Sequence, residues 1–455
     1  MFHPKDLLLK IEENIDFVLK QHSETGKELW EALLHQHPAD IATLITRIKP
    51  KKQEILFKKL SQNLMINVFA ELPLNIQLFL LNKLDTEQIT SILQNIHTDK
   101  LTEILDELPD QDFKKYLSLL QKKQRHQIIS LLHLSPHAAG RLMNSEVLTL
   151  NKDLTVKRSI TLLQRLSAQK ELLRRIYVTT KDNKLVGYIN LDDLVLNKPD
   201  ETLNKILHPN ELCIDVHEDQ EWVAKQMQHY GLISVPVIDK QHHFLGVITA
   251  DDVFDVITEE SSEDVYKMSA VPTMEYTYFE TPVWTLFWQR GIWLVSLLLL
   301  QTISSFIMSN FSQLLDDNVI LTFFLTALIG TGGNAGNQSS AILIRGLATG
   351  EINKKNGLWA LLREMSVSFI LSILLVIVMF FRVYFYHPNV FIAIAVSATL
   401  FFIVNLAILL GSALPLIFEK LNIDPAHTAA PFLATLMDIL GVLIYCFIAS
   451  KILGA

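Results

Sequence analysis

Hydrophobic residues are distributed along this chain in two regimes. Up to about residue 270 they recur singly or in pairs among charges, at helical spacing through residues 27–132 and in short β-branched runs after that. From residue 291 they merge into charge-free stretches, 291–315, 318–344, 365–381, 390–418 and 431–450, the last broken only by Asp438. Stretches of that length read as membrane spans, so the pattern predicts five of them behind a large polar half.

Within the polar half, the helical stretch is punctuated by Pro38, Pro50, Pro73, Asp85, Thr98 and Pro109, residues suited to N-caps or first turns. This predicts a stack of short helices serving as a scaffold or contact surface, with His35 and His37 as ordinary surface or cap histidines. An internal repeat follows: KLVGYINLDDLV at 184–195 aligns with HFLGVITADDVF at 243–254, each copy preceded by a β-branched run. Each copy reads as strand, Gly turn, strand, then an Asp-capped helix. The second copy runs into a strip carrying Asp251, Asp252, Asp255, Glu259, Glu260, Glu263 and Asp264, answered by Lys267. On a helix Asp252, Asp255, Glu259 and Glu263 share one face. Like charges so placed destabilise the helix, and a strip of this kind is either a solvated face or a set of divalent-cation ligands.

Composition sharpens the picture. The 455 residues are 49% hydrophobic and carry a net charge of −8, with a mean hydropathy of +0.27. An acidic balance without a basic stripe argues against a nucleic-acid partner and for cations. Residues 1–20 lack a continuous apolar core, so no signal peptide is expected and the polar half should be cytoplasmic. Arg290, Arg345, Lys354, Lys355 and Arg363 flank the spans on that side and Asp316 and Asp317 on the other, with Arg382 as the exception. Five spans then put the C-terminus outside. Cys213 and Cys446, one in each half, cannot form a native disulfide pair.

The chemistry converges on two membrane segments. A carboxylate inside a span is costly and is kept where it faces a bundle interior or a water-filled path, which singles out Asp438. In the second span, GTGGNAGNQ at 330–338 puts Asn334, Asn337 and Gln338 on one face and Gly332 and Gly336 on the opposite one. The glycines allow close helix approach, and the amides place uncharged oxygens along a polar path, so Gly332, Asn334, Asn337 and Gln338 are candidate pore-lining positions. Mg²⁺ keeps its waters and is held by one or two carboxylates, as Asp438 supplies, whereas Ca²⁺ calls for more oxygens and a transition metal for His or Cys. No catalytic dyad, Walker loop or nucleophile elbow is present, so the chain is not read as an enzyme and transport should be passive.

Two resemblances follow. The repeat resembles paired cystathionine-β-synthase-type (CBS) modules, which often bind adenine nucleotides; Tyr177 stands where the second copy has Pro236. The CBS pair, the acidic strip, five spans, GTGGNAGNQ, RGLATGE at 345–351, DPA at 424–426 and MDILG at 437–441 together resemble the MgtE family of magnesium channels over nearly the whole chain. The resemblance implies a multidomain protein: a cytoplasmic all-α helical N-domain (1–135), an α/β tandem CBS pair (136–258, copies at about 142–200 and 208–258), an acidic connecting plug helix (259–282) and a five-helix transmembrane pore domain (283–455) in the inner membrane. It implies a homodimer whose two Asp438 side chains bind a hydrated Mg²⁺ on the twofold axis. It also implies that cytoplasmic Mg²⁺ closes the pore by binding Asp252, Asp255, Glu259, Glu260, Glu263 and Asp264, together with Asp219 and Glu221 of the second module and Asp99 and Glu103 of the N-domain, with ATP as a further ligand of the CBS pair. Gly231 and Ala430 stand where other members can carry Asp and Asn. Two other readings stay open: a secondary transporter or exporter using Asp438 as a relay, against which the lack of inverted repeats counts, and a nucleotide sensor with a membrane anchor.

Overall fold

The computed structural model describes residues 4–166, 174–272, 281–427 and 430–453, and its chain divides into two compact units, Met1–Thr258 and Glu259–Ala455. In the first unit, short helices run from Pro4–Glu13 to Lys122–Leu132. Their starts follow from local chemistry. Pro38 and Pro50 open helices as first residues, Asp85 accepts from the Gln88 backbone N–H in a capping box, and Pro73 and Pro109 occupy N-cap positions. One side chain per turn then ties helix to helix. The Gln53 amide donates to the Ile45 carbonyl at 3.0 Å, Gln77 to Phe69 at 2.7 Å and the Arg125 guanidinium to Leu117 at 3.1 Å, each reaching eight residues back. These bonds add a second donor to helix-end carbonyls that also accept a backbone N–H, beside the buried core around Phe57, Phe69 and Tyr116.

The repeat forms two three-stranded sheets of the same order. Thr149–Asn151 pairs parallel with Arg175–Thr179, which pairs antiparallel with Leu185–Asn190; Ile214–Asp215, Ser234–Ile238 and Phe244–Thr249 reproduce the arrangement. Gly187 and Gly246 occupy equivalent places, opposite Val178 and Val237. A side chain at Gly187 would strike the His208 carbonyl, and one at Gly246 the Asn144 carbonyl, so the glycines let a further segment cross the sheet edge. Tyr177 pairs with Tyr188 as Pro236 does with Val247, and its buried hydroxyl lies 3.1 Å from Ser234 Oγ of the other module. Tyr177, Tyr188 and Phe244 form the small apolar cluster joining the copies, and burial pushes the Tyr177 phenol up to about 12.

The acidic helix spans Ala250–Met268, continuous with the second module. Ala270 turns left-handed at φ 55°, the Val271 N–H bonds to the Tyr266 carbonyl, and Pro272 follows, a C-terminal turn that stops the helix. The remainder of the expected connecting segment, 273–280, lies outside the described residues.

The second unit contains five long helices: first Val283–Asn310, second Ile320–Ala348, third Gly357–Tyr386, fourth Val390–Lys420 and fifth Ala430–Leu453. Among the described residues, all but the second are long and apolar enough to cross a membrane. The second has the length, at 29 residues, but its glycines and amides dilute its apolar character. The fourth packs against the second, third and fifth, while the first lies along the fifth and is exposed along most of its length. Several polar groups between helices are paired with one another, as a lipid solvent favours. Ser368 Oγ donates to Asn405 Oδ1 at 2.9 Å, Asn405 Nδ2 donates to Ser372 Oγ at 3.0 Å, and the Tyr445 hydroxyl donates to the Leu321 carbonyl at 2.8 Å.

The closest approach is glycine on glycine. A Cβ at Gly411 would meet the Gly336 carbonyl, and one at Gly336 would sit 3.0 Å from the Ala407 carbonyl. Gly411→Ala should therefore lower the thermal midpoint of the purified protein in detergent, by an overpacking cost of about 1–3 kcal/mol. Gly291→Ala, whose Cβ would meet nothing within 4 Å, should leave it unchanged. Equal midpoints for the two variants would mean that the glycine seam is slack.

Candidate ion path and regulatory acids

The fifth helix holds Asp438 half-buried, and its partner comes from the first helix: Gln301 Nε2 donates to Asp438 Oδ2 at 3.0 Å. The two line a groove of about 510 Å³ with Thr302, Ser304, Ser305 and Thr326 among its other walls. Thr302 Oγ1 is already bonded to the Leu299 carbonyl at 2.6 Å, whereas the buried Ser304 Oγ has no hydrogen-bond partner.

On the second helix, Gly332 is buried against Ile403 in the seam with the fourth helix, and Asn334 and Gln338 are exposed. Asn337 is half-buried with its Oδ1 shut from solvent and unbonded, as is Ser340 Oγ. Next to them Ser339 Oγ donates to Glu364 Oε2 of the third helix at 2.7 Å. The amide-bearing helix thus combines a glycine seam with buried oxygens that have unused capacity.

In the first unit, Asp99 near the start of the Thr98–Asp106 helix keeps a buried Oδ1 without a hydrogen bond, and burial raises its pKa. Asp252 accepts from Thr249 Oγ1 at 2.8 Å. Burial first, and the Asp99 charge second, push its carboxyl from the ordinary 3.8 to about 6. The cluster carries its own cation: Lys100 Nζ lies 3.5 Å from the exposed Asp255. Burial opposes its charge, but Glu103, Asp255, Asp99 and Asp252 together raise its pKa.

Other acids have structural occupations. Asp219 is the N-cap of Gln220–Tyr230, accepting from the Glu221 and Trp222 N–H groups, and Glu221 pairs with Lys225 at 2.7 Å. Within the second unit, Lys267 Nζ bridges Glu263 at 2.8 Å and Asp424 at 2.7 Å, joining the acidic helix to the turn before the fifth helix and raising the Lys267 pKa. Glu259, Glu260 and Asp264 lie on the same acidic helix, Glu259 exposed. Among the described residues, no three His, Cys, Asp or Glu side chains converge closely enough to hold a metal ion. Asp99, Glu103, Asp252 and Asp255 are the acids whose charges act on Lys100. A separate cavity of about 540 Å³ in the CBS region is lined by Arg174, Arg175, Asn190, Asp192, Ser234, Thr249 and Asp251 among others.

Sequence reading named Asp438 but not Gln301 as its hydrogen-bond partner, nor Lys100 among the acids of the first unit or Asp424 as a partner of Lys267. Gln301 had a signal: a long polar side chain inside an apolar run obeys the same logic as an acid there.

Similarity to known proteins agrees with this layout. The chain matches the MgtE intracellular N domain model over residues 36–137, the CBS domain model over 139–199 and 203–259, and the MgtE divalent cation transporter model over 325–448. It is 33% identical to the magnesium transporter MgtE of Thermus thermophilus over 344 residues, 75% of this chain and 76% of that one. It is 28% identical to the magnesium transporter MgtE of Bacillus subtilis over 91% of both chains. A crystal structure of the cytosolic domain of the Mg²⁺ channel MgtE in complex with ATP superposes with a TM-score of 0.50 at 26% identity, covering 54% of this chain and 99% of that one.

The raised Asp252 carboxyl has a signed consequence. Its folded-state pKa lies above the unfolded value, so the folded protein loses stability as the group ionises: nothing below about pH 4, the full cost above about pH 6. Two pKa units correspond to about 2 kcal/mol once partial exposure is discounted. Asp252→Asn should therefore raise the thermal midpoint at about pH 7.5 in chelator and converge on wild type at about pH 4. A difference that does not change with pH would remove the electrostatic explanation.

Proposed function

We propose, from the premise that the chain belongs to the MgtE family of divalent cation transporters, that it is a Mg²⁺-selective channel mediating passive uptake, with Asp438 as the ion-binding side chain of the pore. As a member of a transporter family it is not an enzyme, and its apolar helices make it an integral membrane protein. The observation that carries the pore assignment is the half-buried Asp438 carboxylate, held by a neutral amide and not by a cation, in a polar groove of an otherwise apolar bundle. A carboxylate left without a counter-charge attracts a dication, and its single charge suits an ion that keeps its water.

The second helix then crosses the membrane with the other four, its amide face along the conduction path, with the N-terminus cytoplasmic, the C-terminus outside and the protein in the inner membrane. The exposure of the first helix supports a homodimer in which two copies of Asp438 face one path. Domain limits at 1–135, 136–258, 259–282 and 283–455 belong to the same reading. The CBS cavity, with arginines for phosphate and aspartates for ribose hydroxyls, supports an adenine nucleotide such as ATP as a ligand.

Gating belongs to the acids. Asp99, Glu103, Asp252 and Asp255 in the first unit, and Glu259, Glu260, Glu263 and Asp264 further along the helix, repel one another without bound cations, and cytoplasmic Mg²⁺ would draw them together. Asp219 and Glu221 are weaker members, since capping and Lys225 already occupy them. Lys267 connects the acidic helix to Asp424 beside the fifth helix, a route by which that change reaches the pore. Moving the gate from 99% open to 99% closed takes a differential affinity of about 5.5 kcal/mol, which favours several ions acting together.

In liposomes loaded with a Mg²⁺ indicator, Asp438→Ala should abolish uptake while remaining folded, and Asp438→Glu should retain part of it; wild-type uptake by Asp438→Ala would refute the pore assignment. In patch recordings with Mg²⁺ titrated on the cytoplasmic face, the combined replacement of Asp252, Asp255, Glu263 and Asp264 by Ala should stay conductive where wild type falls silent. Unchanged inhibition would make the acidic strip a solvated surface.

A further inference from the structure

The groove beside Asp438 offers polar groups in addition to that carboxylate. Gln301 approaches it from the first helix, 137 residues away in sequence, and donates Nε2 to Oδ2. The same planar amide carries Oε1, an acceptor that stays close to the carboxylate whichever rotamer keeps the bond. Ser304, Ser305 and Thr326 add hydroxyl oxygens to the wall. Ser304 is 8% exposed and its Oγ has no protein partner, a rare condition for a buried hydroxyl and one that a ligand or water in the groove would relieve.

Such a surface matches one kind of ligand. A hydrated dication presents only outward-pointing hydrogens, so its seat needs acceptors at the radius of its water shell and not at the radius of the metal. The groove has about 510 Å³, and six waters at about 30 Å³ each take about 180 Å³, so the ion fits with its shell intact. A cation that sheds water easily gains less here, because even with Asp438 of both copies the path brings two carboxylates and neutral oxygens where Ca²⁺ seeks six to eight direct ligands.

We propose that Gln301, with Ser304, Ser305 and Thr326, forms an outer-sphere seat for a hydrated divalent cation beside Asp438, and that Gln301 is the specificity-determining residue of that seat. It orients the Asp438 carboxylate and supplies a neutral acceptor to the water shell, so it favours the ion that keeps its waters. This rests on Asp438 being the pore site, and the experiment separates the two ideas.

Full-length wild type, Gln301→Leu, Gln301→Glu and Asp438→Ala are reconstituted in liposomes. Flux is measured for Mg²⁺ and Ca²⁺, and block by hexaamminecobalt(III), an inert complex that imitates a hydrated Mg²⁺ and cannot exchange its ligands. Gln301→Leu should raise the half-saturating Mg²⁺ about two- to tenfold, the effect of one lost hydrogen bond, and weaken the cobalt block by a similar factor, with the maximal rate less affected. Gln301→Glu, which adds a charged oxygen, should raise the Ca²⁺ to Mg²⁺ flux ratio; this variant decides the matter if Gln301→Leu does not fold. A lower maximal rate in Gln301→Leu with wild-type half-saturation and block would leave Gln301 a packing residue and overturn the inference. If Asp438→Ala is silent while both Gln301 variants match wild type in half-saturation, ion ratio and block, only the outer-sphere seat falls. If Asp438→Ala conducts as wild type, the pore reading falls with it.

Discussion

A carboxylate in a hydrocarbon-facing bundle must be solvated by something, and what solvates it decides what else it can hold. Asp438 is met by an amide and not by an ammonium. A lysine in that place would have neutralised it and closed the site to cations; a glutamine satisfies one oxygen and leaves the charge standing. The arrangement of the second unit follows from this. The first helix, otherwise exposed, is positioned along the fifth where Gln301 reaches the acid. The second helix trades apolar character for glycines and amides, and the third and fourth close their own polar contacts through Ser368, Ser372 and Asn405. Ser304 beside Asp438, and Asn337 and Ser340 on the second helix, keep buried oxygens without a hydrogen bond.

The acids of the first unit and of the acidic helix follow the opposite rule. Asp99 and Asp252 are held near each other in part-dry surroundings that favour their neutral forms, and two lysines, Lys100 and Lys267, already lie among the carboxylates. An acid pair biased toward protonation is poised to gain from any added positive charge. The ammonium groups set the level against which any added cation would have to compete.

How much of this could be read from residues alone depended on the range of the interaction. Helix starts at Pro38, Pro50 and Asp85 are set by neighbours within a turn, and the two CBS copies by a repeat whose glycines recur in register, so both were legible. Asp438 was legible because burial of charge needs no partner to be conspicuous. Gln301 was not, since its meaning depends on a residue 137 positions away. Asp219 shows the reverse difficulty: it sits at a plausible ligand position, yet its oxygen is used by the backbone N–H groups of its own helix. The acidic helix stops at Met268, ahead of Pro272, where Ala270 adopts a left-handed conformation that alanine does not advertise.

The contact between Gly336 and Gly411 bears on how such a bundle can change over time. In most helix pairs a bulkier residue on one side can be accommodated by a smaller one opposite. Here the obstacle to a Cβ on Gly411 is the Gly336 backbone itself, and Gly336 in turn faces the Ala407 carbonyl. No smaller residue exists to make room, so compensation between side chains is unavailable at this crossing. Drift in sequence must pass around these two positions, and any variant that abandons one of them must also move a helix that carries the amide face.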